Sequence, residues 1–357
     1  MDASGRTSAD VKRRLAVGID RALDYLHQHQ YPHGEFCAYI SPDEAMQAGY
    51  CLPDPSLFPT VLVSNCLLYV AGEPRAEEML TRATRFLQYQ MQRGGVWQHF
   101  PGWHPFYAFS PPDLDDTACI SALLQARGID CPKPTNIPLL LANRNREGLF
   151  YTWLIPRLRP VAYGPYWRLT LPQLLSVRQS VLFWRAEAAR QDVDAVVNAN
   201  VLYYLGERAE TRAVEAYLLR IIAEGREASC DKWYLNVYSV YYFFGRAYHN
   251  GATGLAPARS SVTARICAAA QPDGRLGETV LDTALAACAL LSWGSYPPEL
   301  AAAIEFLLAQ QQPAGEWPRW RLYYGGRKRL RGWGSEELTT AFCLEALARY
   351  QSLPNAS

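Results

Sequence analysis

The 357-residue chain lacks a long apolar run. The longest, Ala284 to Trp293, falls short of the roughly 20 residues a membrane-spanning helix requires. It also lacks an excess of charge of either sign. The formal net charge is +1 and only 19% of residues are charged, so no global field draws the chain to nucleic acid or to an acidic partner. Met1 to Arg14 contains no apolar core of the kind a secretory leader carries. Glycine-rich phosphate loops and Ser/His/Asp arrangements are missing too. The nine cysteines, an odd number, are scattered in apolar stretches such as Ser64-Asn65-Cys66-Leu67. That pattern predicts reduced core residues in a cytoplasmic protein rather than a disulfide framework.

What the chain does have is apolar and aromatic material: 49% hydrophobic residues, with 22 Tyr and 10 Trp, enough for a sizeable core. The dominant pattern is an internal repeat, a helix, a turn with Gln or Asn, Gly and an aromatic, then a second helix. The first copy runs from Leu23 through Gln30-x3-Gly34-x-Phe36 to a helix near Leu57–Val70. The second turns at Gly94 to Trp97 and enters a helix from Asp113. The third turns between Asn143 and Phe150 and resumes at Asp192 to Leu202. Later turns fall at Asp231 to Tyr234, at Gln271 to Gly274 and at Gln311-x3-Gly315-x-Trp317, each followed by an apolar helix. Six helix pairs predict an all-α chain, one α/α toroid over residues 1–357. Leu149 to Leu182, with Pro156, Pro160, Pro165 and Pro172 among several rings, reads as a long inserted loop.

The most concentrated chemistry is Pro111-Pro112-Asp113-Leu114-Asp115-Asp116-Thr117-Ala118. Two prolines end what precedes, and Asp is a favoured N-cap, so the acids open an inner helix. Capping alone accounts for Asp113, with Asp116 answering three residues on. Three carboxylates so close cannot all ionise cheaply when partly buried, and one that keeps its proton is a general acid.

Asp-x-Asp-Asp-Thr-Ala resembles the signature of class II terpene cyclases of the squalene–hopene cyclase type. The Gln-x3-Gly-x-Trp turns are similar to the repeats of the terpene cyclase and protein prenyltransferase superfamily over nearly the whole chain. The resemblance implies proton-initiated cyclisation of a linear isoprenoid or prenyl diphosphate, with Asp115 as proton donor and Asp113 and Asp116 as its neighbours. The protein prenyltransferase branch uses a zinc held by Asp, Cys and His on late repeats. None of the six histidines, His27, His29, His33, His99, His104 and His249, lies in the fifth or sixth copy, so no metal site is expected. No cofactor is expected either, unless a diphosphate substrate brings Mg2+. Class II cyclases normally work between two barrels. With one barrel here, the long loop or a second chain would have to close the cavity.

Other candidates follow from position. Asn198 and Asn200 fall on the third inner helix, where they would either position a carboxyl group or pair with backbone. Tyr203, Tyr238, Tyr241 and Tyr242, with Trp333, are candidate cavity-lining rings, whose faces attract cationic charge. Arg327, Lys328 and Arg329, within a cluster that includes Arg319, Arg321 and Arg331, form either a solvated basic loop or a diphosphate seat. Two other functions fit the same features: a non-catalytic toroid holding an apolar ligand or partner protein, and an α/α-barrel carbohydrate enzyme pairing Asp115 with Asp194 or Glu336. An isoprenoid substrate also leaves room for peripheral membrane contact.

Overall fold

The computed structural model describes residues 8–129, 133–157, 163–174 and 188–354. Among these residues there are thirteen α-helices: α1 (Ser8–His29), α2 (Leu57–Leu67), α3 (Pro74–Tyr89), α4 (Leu114–Ala126), α5 (Lys133–Ala142), α6 (Gly164–Leu174), α7 (Ala195–Leu205), α8 (Arg212–Glu224), α9 (Val237–His249), α10 (Arg259–Ala268), α11 (Val280–Ser292), α12 (Pro298–Gln310) and α13 (Glu336–Gln351). Six of them bury most of their residues: α2, α4, α7, α9, α11 and α13. A helix buried nearly all round must be covered on all sides. Here α2 packs on α4, α4 on α7, α7 on α9, α9 on α11, α11 on α13, and α13 returns to α2. The amphipathic helices α1, α3 and α8 lie outside, α3 against α2, α8 against α7 and α1 against α13.

The turns owe their sequence to a repeated set of hydrogen bonds. Gln30 Nε2 donates to the carbonyls of Gly34 (3.0 Å) and of Met79 on the next outer helix (2.9 Å). Gln311 Nε2 does the same to Gly315 (2.8 Å) and to Gly18 on α1 (2.9 Å), tying the last repeat to the first. Gly34 and Gly315 sit at φ +106° and +108°, where a Cβ would collide with the carbonyls of Arg82 and Arg21. The residue two positions after the glycine drops into the core, and its N–H is satisfied by a side chain on the inner helix. Phe36 N–H donates to Thr60 (2.9 Å), Trp97 to Thr117 (3.0 Å), Leu276 to Thr283 (3.2 Å) and Trp317 to Thr340 (3.1 Å). In the third repeat the acceptor is Asn198 (2.9 Å from Phe150 N).

Two expectations are corrected. The chain is not wholly helical: β1 (Tyr39–Ser41), β2 (Leu52–Pro53), β3 (Tyr323–Tyr324) and β4 (Gly332–Gly334) form an antiparallel sheet in the order β2-β1-β4-β3. It pairs the loop after α1 with the loop before α13, Ile40 opposite Trp333, which the contact between those two helices brings together. The segment from Leu149 is not one long loop either, because it contains α6. Pro165 lies in the first turn of α6, where its missing N–H is not needed, and Pro172 near the last. Pro160 and residues 175–187 lie outside the described residues. The eight described cysteines are free thiols, and no described helix is long and apolar enough to cross a membrane.

Candidate active site

Asp113 is the N-cap of α4, its carboxylate accepting from Asp116 N at 2.8 Å. The reciprocal half of a capping box is missing, because Asp113 N donates to the Trp97 carbonyl instead (3.1 Å). Capping therefore uses one acid and leaves two. Asp116 is buried, with one oxygen 3.6 Å from His99 Nδ1 and the other without a hydrogen-bond partner. Asp115 points differently. It keeps some accessible surface although protein encloses it, and both its oxygens are held. Asn200 Nδ2 donates to Oδ1 at 2.5 Å, and Tyr234 Oη donates to Oδ2 at 2.6 Å.

Burial pushes all three carboxyl groups above the ordinary aspartate range. For Asp113 and Asp116 the charge of a neighbouring aspartate adds to burial. For Asp115 burial is opposed by the Tyr234 and Asn200 hydrogen bonds and by the nearby Arg246 and His99. Burial also holds His99 below the usual histidine range. Asp115 thus differs from its neighbours in having donors ready for its charged form, which is what a carboxyl group needs if it is to release a proton.

Rings enclose this corner. Tyr234 packs edge-on to Phe243 (5.0 Å between ring centres), Phe58 on α2 meets Tyr323 at 5.6 Å, and Tyr323 stacks on Trp333 at 5.4 Å. His99 lies 5.6 Å from Tyr323 and 5.9 Å from Trp333. Trp333 Nε1 donates to Asp54 (2.6 Å), so its orientation is fixed. A recess of about 670 Å³ lined by Tyr31, Glu35, Phe86 and Trp103 opens elsewhere and shares none of these groups.

The sequence-predicted residues divide as follows. Asp115, Asn200 and Trp333 come together at this corner. Asn198 does not join them: its amide is used on Phe150 and on the Asp194 carbonyl. It takes the threonine's role in its repeat. Tyr203 and Tyr242 flank Arg246, and Tyr242 also donates to Glu345 (3.0 Å). The Tyr241 hydroxyl turns toward Glu227 rather than toward Asp115, and Tyr238 packs edge-on to its ring. Arg327, Lys328 and Arg329 lie between β3 and β4. Arg321 and Arg319 are already paired with Glu44 (2.6 Å) and Glu336 (2.5 Å), and Arg329 sits 3.7 Å from Glu44. The cluster is thereby partly neutralised. Tyr234, Arg246, His99 and Tyr323 were not singled out from sequence. Arg246 alone left a clear signal, a single basic residue inside Tyr241-Tyr242-Phe243-Phe244-Gly245-Arg246-Ala247.

No family model matches the chain, and no curated protein does. Solved structures do. The type II terpene cyclase MstE from Scytonema, without ligand, aligns with a TM-score of 0.67 at 18% identity, covering 94% of this chain and 98% of that one. The fold is that of the type II terpene cyclases. A protein from Actinoplanes aligns with a TM-score of 0.65 at 20% identity over 94% and 99% of the two chains. ent-Copalyl diphosphate synthase from Streptomyces platensis aligns with a TM-score of 0.57 at 20% identity over 82% of this chain, which spans about 50% of that one.

Proposed function

We propose that the protein is a class II terpene cyclase-like enzyme in which Asp115 protonates a linear isoprenoid. The observation that carries this reading is the Asp115 carboxyl group, kept partly accessible among rings while Asn200 and Tyr234 stand ready to stabilise its charge. In the reaction the Asp115 O–H bond breaks as a C–H bond forms at a terminal alkene, or an O–H bond at an epoxide. The resulting cation is tertiary carbon, and the faces of Phe58, Tyr234, Phe243, Tyr323 and Trp333 are its natural neighbours. Asp113 is the cap that fixes the start of α4, and Asp116 adds the like charge that keeps protons in the site. The six inner helices are read as a closed α/α ring and the chain as one domain over 1–357.

The length of the chain is no obstacle to this reading. MstE, of which the match covers 98%, is described in complex with geranylgeranyl dihydroxybenzoate as substrate. That example also extends the substrate class to prenylated aromatic acids. For a prenyl diphosphate, Arg327, Lys328 and Arg329 are the cations on offer. Among the described residues no cluster of three or more His, Cys, Asp or Glu is arranged to hold a metal ion, and no step here depends on one. Exposed Tyr89, Trp103 and Phe106 are the side chains suited to peripheral contact with a membrane that supplies an apolar substrate. The ring-lined corner favours this reading over a carbohydrate-active one, which calls for polar partners along a sugar. Incubation of the purified protein with squalene, linear prenyl diphosphates and prenylated aromatic acids, followed by mass spectrometry, tests it. A cyclised isomer supports the assignment, and full recovery of every linear substrate favours the ligand-binding alternative.

A further inference from the structure

Arg246 is 4% exposed in the last turn of α9, and a buried guanidinium requires a reason. Its two described hydrogen bonds go to Asn200 Oδ1 (2.6 Å) and to the Cys119 thiol (3.2 Å), neither of them a carboxylate. Nε and Nη1 are buried without hydrogen-bond partners among the described residues. The rings of Tyr203 and Phe243 lie 4.3 and 5.0 Å from the guanidinium carbon. Among the described residues the charge is therefore held in place without a direct counter-ion, and the next charged group along the hydrogen-bond chain is Asp115.

The chain has a direction that Arg246 alone dictates. An asparagine amide has an acceptor end and a donor end of nearly the same shape. Arginine carries donors only, so the amide must turn its oxygen toward Arg246 and its NH2 toward Asp115 Oδ1. Oδ1 is then an acceptor whether the carboxyl group is charged or neutral. The transferable proton must sit on Oδ2, whose partner, the Tyr234 hydroxyl, can accept as well as donate.

We propose that Arg246 is a positioning residue for the proton donor: through Asn200 it assigns the acidic proton to Oδ2 of Asp115, and its fixed charge stabilises the carboxylate left after transfer. The inference rests on the reading of Asp115 as the acid, but it concerns the ionisation of that group and can be measured without substrate. The titratable groups around Asp115 are Asp113, Asp116 and Cys119 on its own stretch, His99 before it, Tyr203 on α7, Tyr234 on the loop before α9, Arg246 on α9, and Tyr323 on β3. Arg246 is the one permanent cation among them.

The test is a titration of Asp115 by 13C NMR in the full chain with 13Cγ-labelled aspartate, assigned by Asp115→Asn. Arg246→Leu should move the Asp115 titration up by about one pH unit or more, as loss of a nearby opposite charge does. In an Asn200→Leu background the same change should have a clearly smaller effect, because the connecting amide is gone. Full additivity of the two changes overturns the route through Asn200. Should Arg246→Leu fail to fold, Arg246→Gln against Arg246→Lys gives the same reading, with the neutral donor shifting the titration and the cationic one restoring it. Equal titration in both, or no shift in either, overturns the proposal. Because no turnover is read, failure of the cyclase assignment leaves the result intact.

Discussion

Tyr234→Phe removes one oxygen from the site and nothing else. The ring is 2% exposed and packed between Phe58 and Phe243, so the phenylalanine fills the same space. What is lost is the 2.6 Å bond to Asp115 Oδ2. A hydrogen bond to a charged group contributes about 1.5–3 kcal/mol, and a tenfold change in an ionisation constant corresponds to about 1.4 kcal/mol. The Asp115 carboxylate therefore loses enough support for its titration to rise by about one to two pH units. The sign in the rate profile follows from the role. A general acid works while protonated, so activity falls as pH rises through its pKa. In Tyr234→Phe that falling limb should move to higher pH, while the plateau below it drops because a weaker acid gives its proton up more slowly. Thermal stability at neutral pH should change little, since the lost bond stabilised a charge that burial already disfavours. The assay is kcat against pH for whichever isoprenoid is turned over, beside the 13C titration of Asp115. A lowered plateau with an unmoved limb would refute the reasoning, because it would mean that Tyr234 serves substrate binding rather than the acid.

Three other outcomes are expected. Asp116→Asn should raise the melting temperature at pH 8 and leave it nearly unchanged near pH 4. The folded-state pKa of Asp116 is raised, so the native state holds a proton that the unfolded chain releases, and the penalty grows as pH climbs from the unfolded value through the folded one. Thr340→Val, which orphans the buried Trp317 N–H, should cost about 1–3 kcal/mol in denaturant unfolding, and a neutral result would mean that the turn–helix bond is dispensable. The triple change of Arg327, Lys328 and Arg329 to Gln should leave melting unaltered and weaken binding of diphosphate-bearing substrates only. Equal loss for a neutral substrate such as squalene would remove those residues from the diphosphate role.

Legibility in the sequence depended on how local each cause was. The start of α4 is written in three adjacent residues, two prolines and an N-cap, and the structure begins the helix one residue after Asp113. The turns were legible because Gln, Gly and the aromatic act within seven residues. Their acceptors on the inner helices were not, since Trp97 to Thr117 spans 20 residues and Phe150 to Asn198 spans 48. With loops of such different length, Asn198 gave no sign of replacing a threonine. Tyr234 reaches Asp115 across 119 residues from a loop, and the sheet pairs strands of two or three residues from opposite ends of the chain, too short to leave an alternating pattern. The proline-based reading of a loop failed at α6 because it took no account of where in a helical turn each proline stood.

The most direct test of the central claim is turnover by Asp115→Asn. The amide keeps an oxygen for Asn200, and the α4 cap at Asp113 is untouched, so the variant should fold with wild-type stability or slightly better at neutral pH. It has no acidic proton. On any isoprenoid the wild-type protein cyclises, the account predicts that Asp115→Asn forms no cyclic product while still binding the linear substrate. Cyclisation by this variant at the wild-type rate would contradict it.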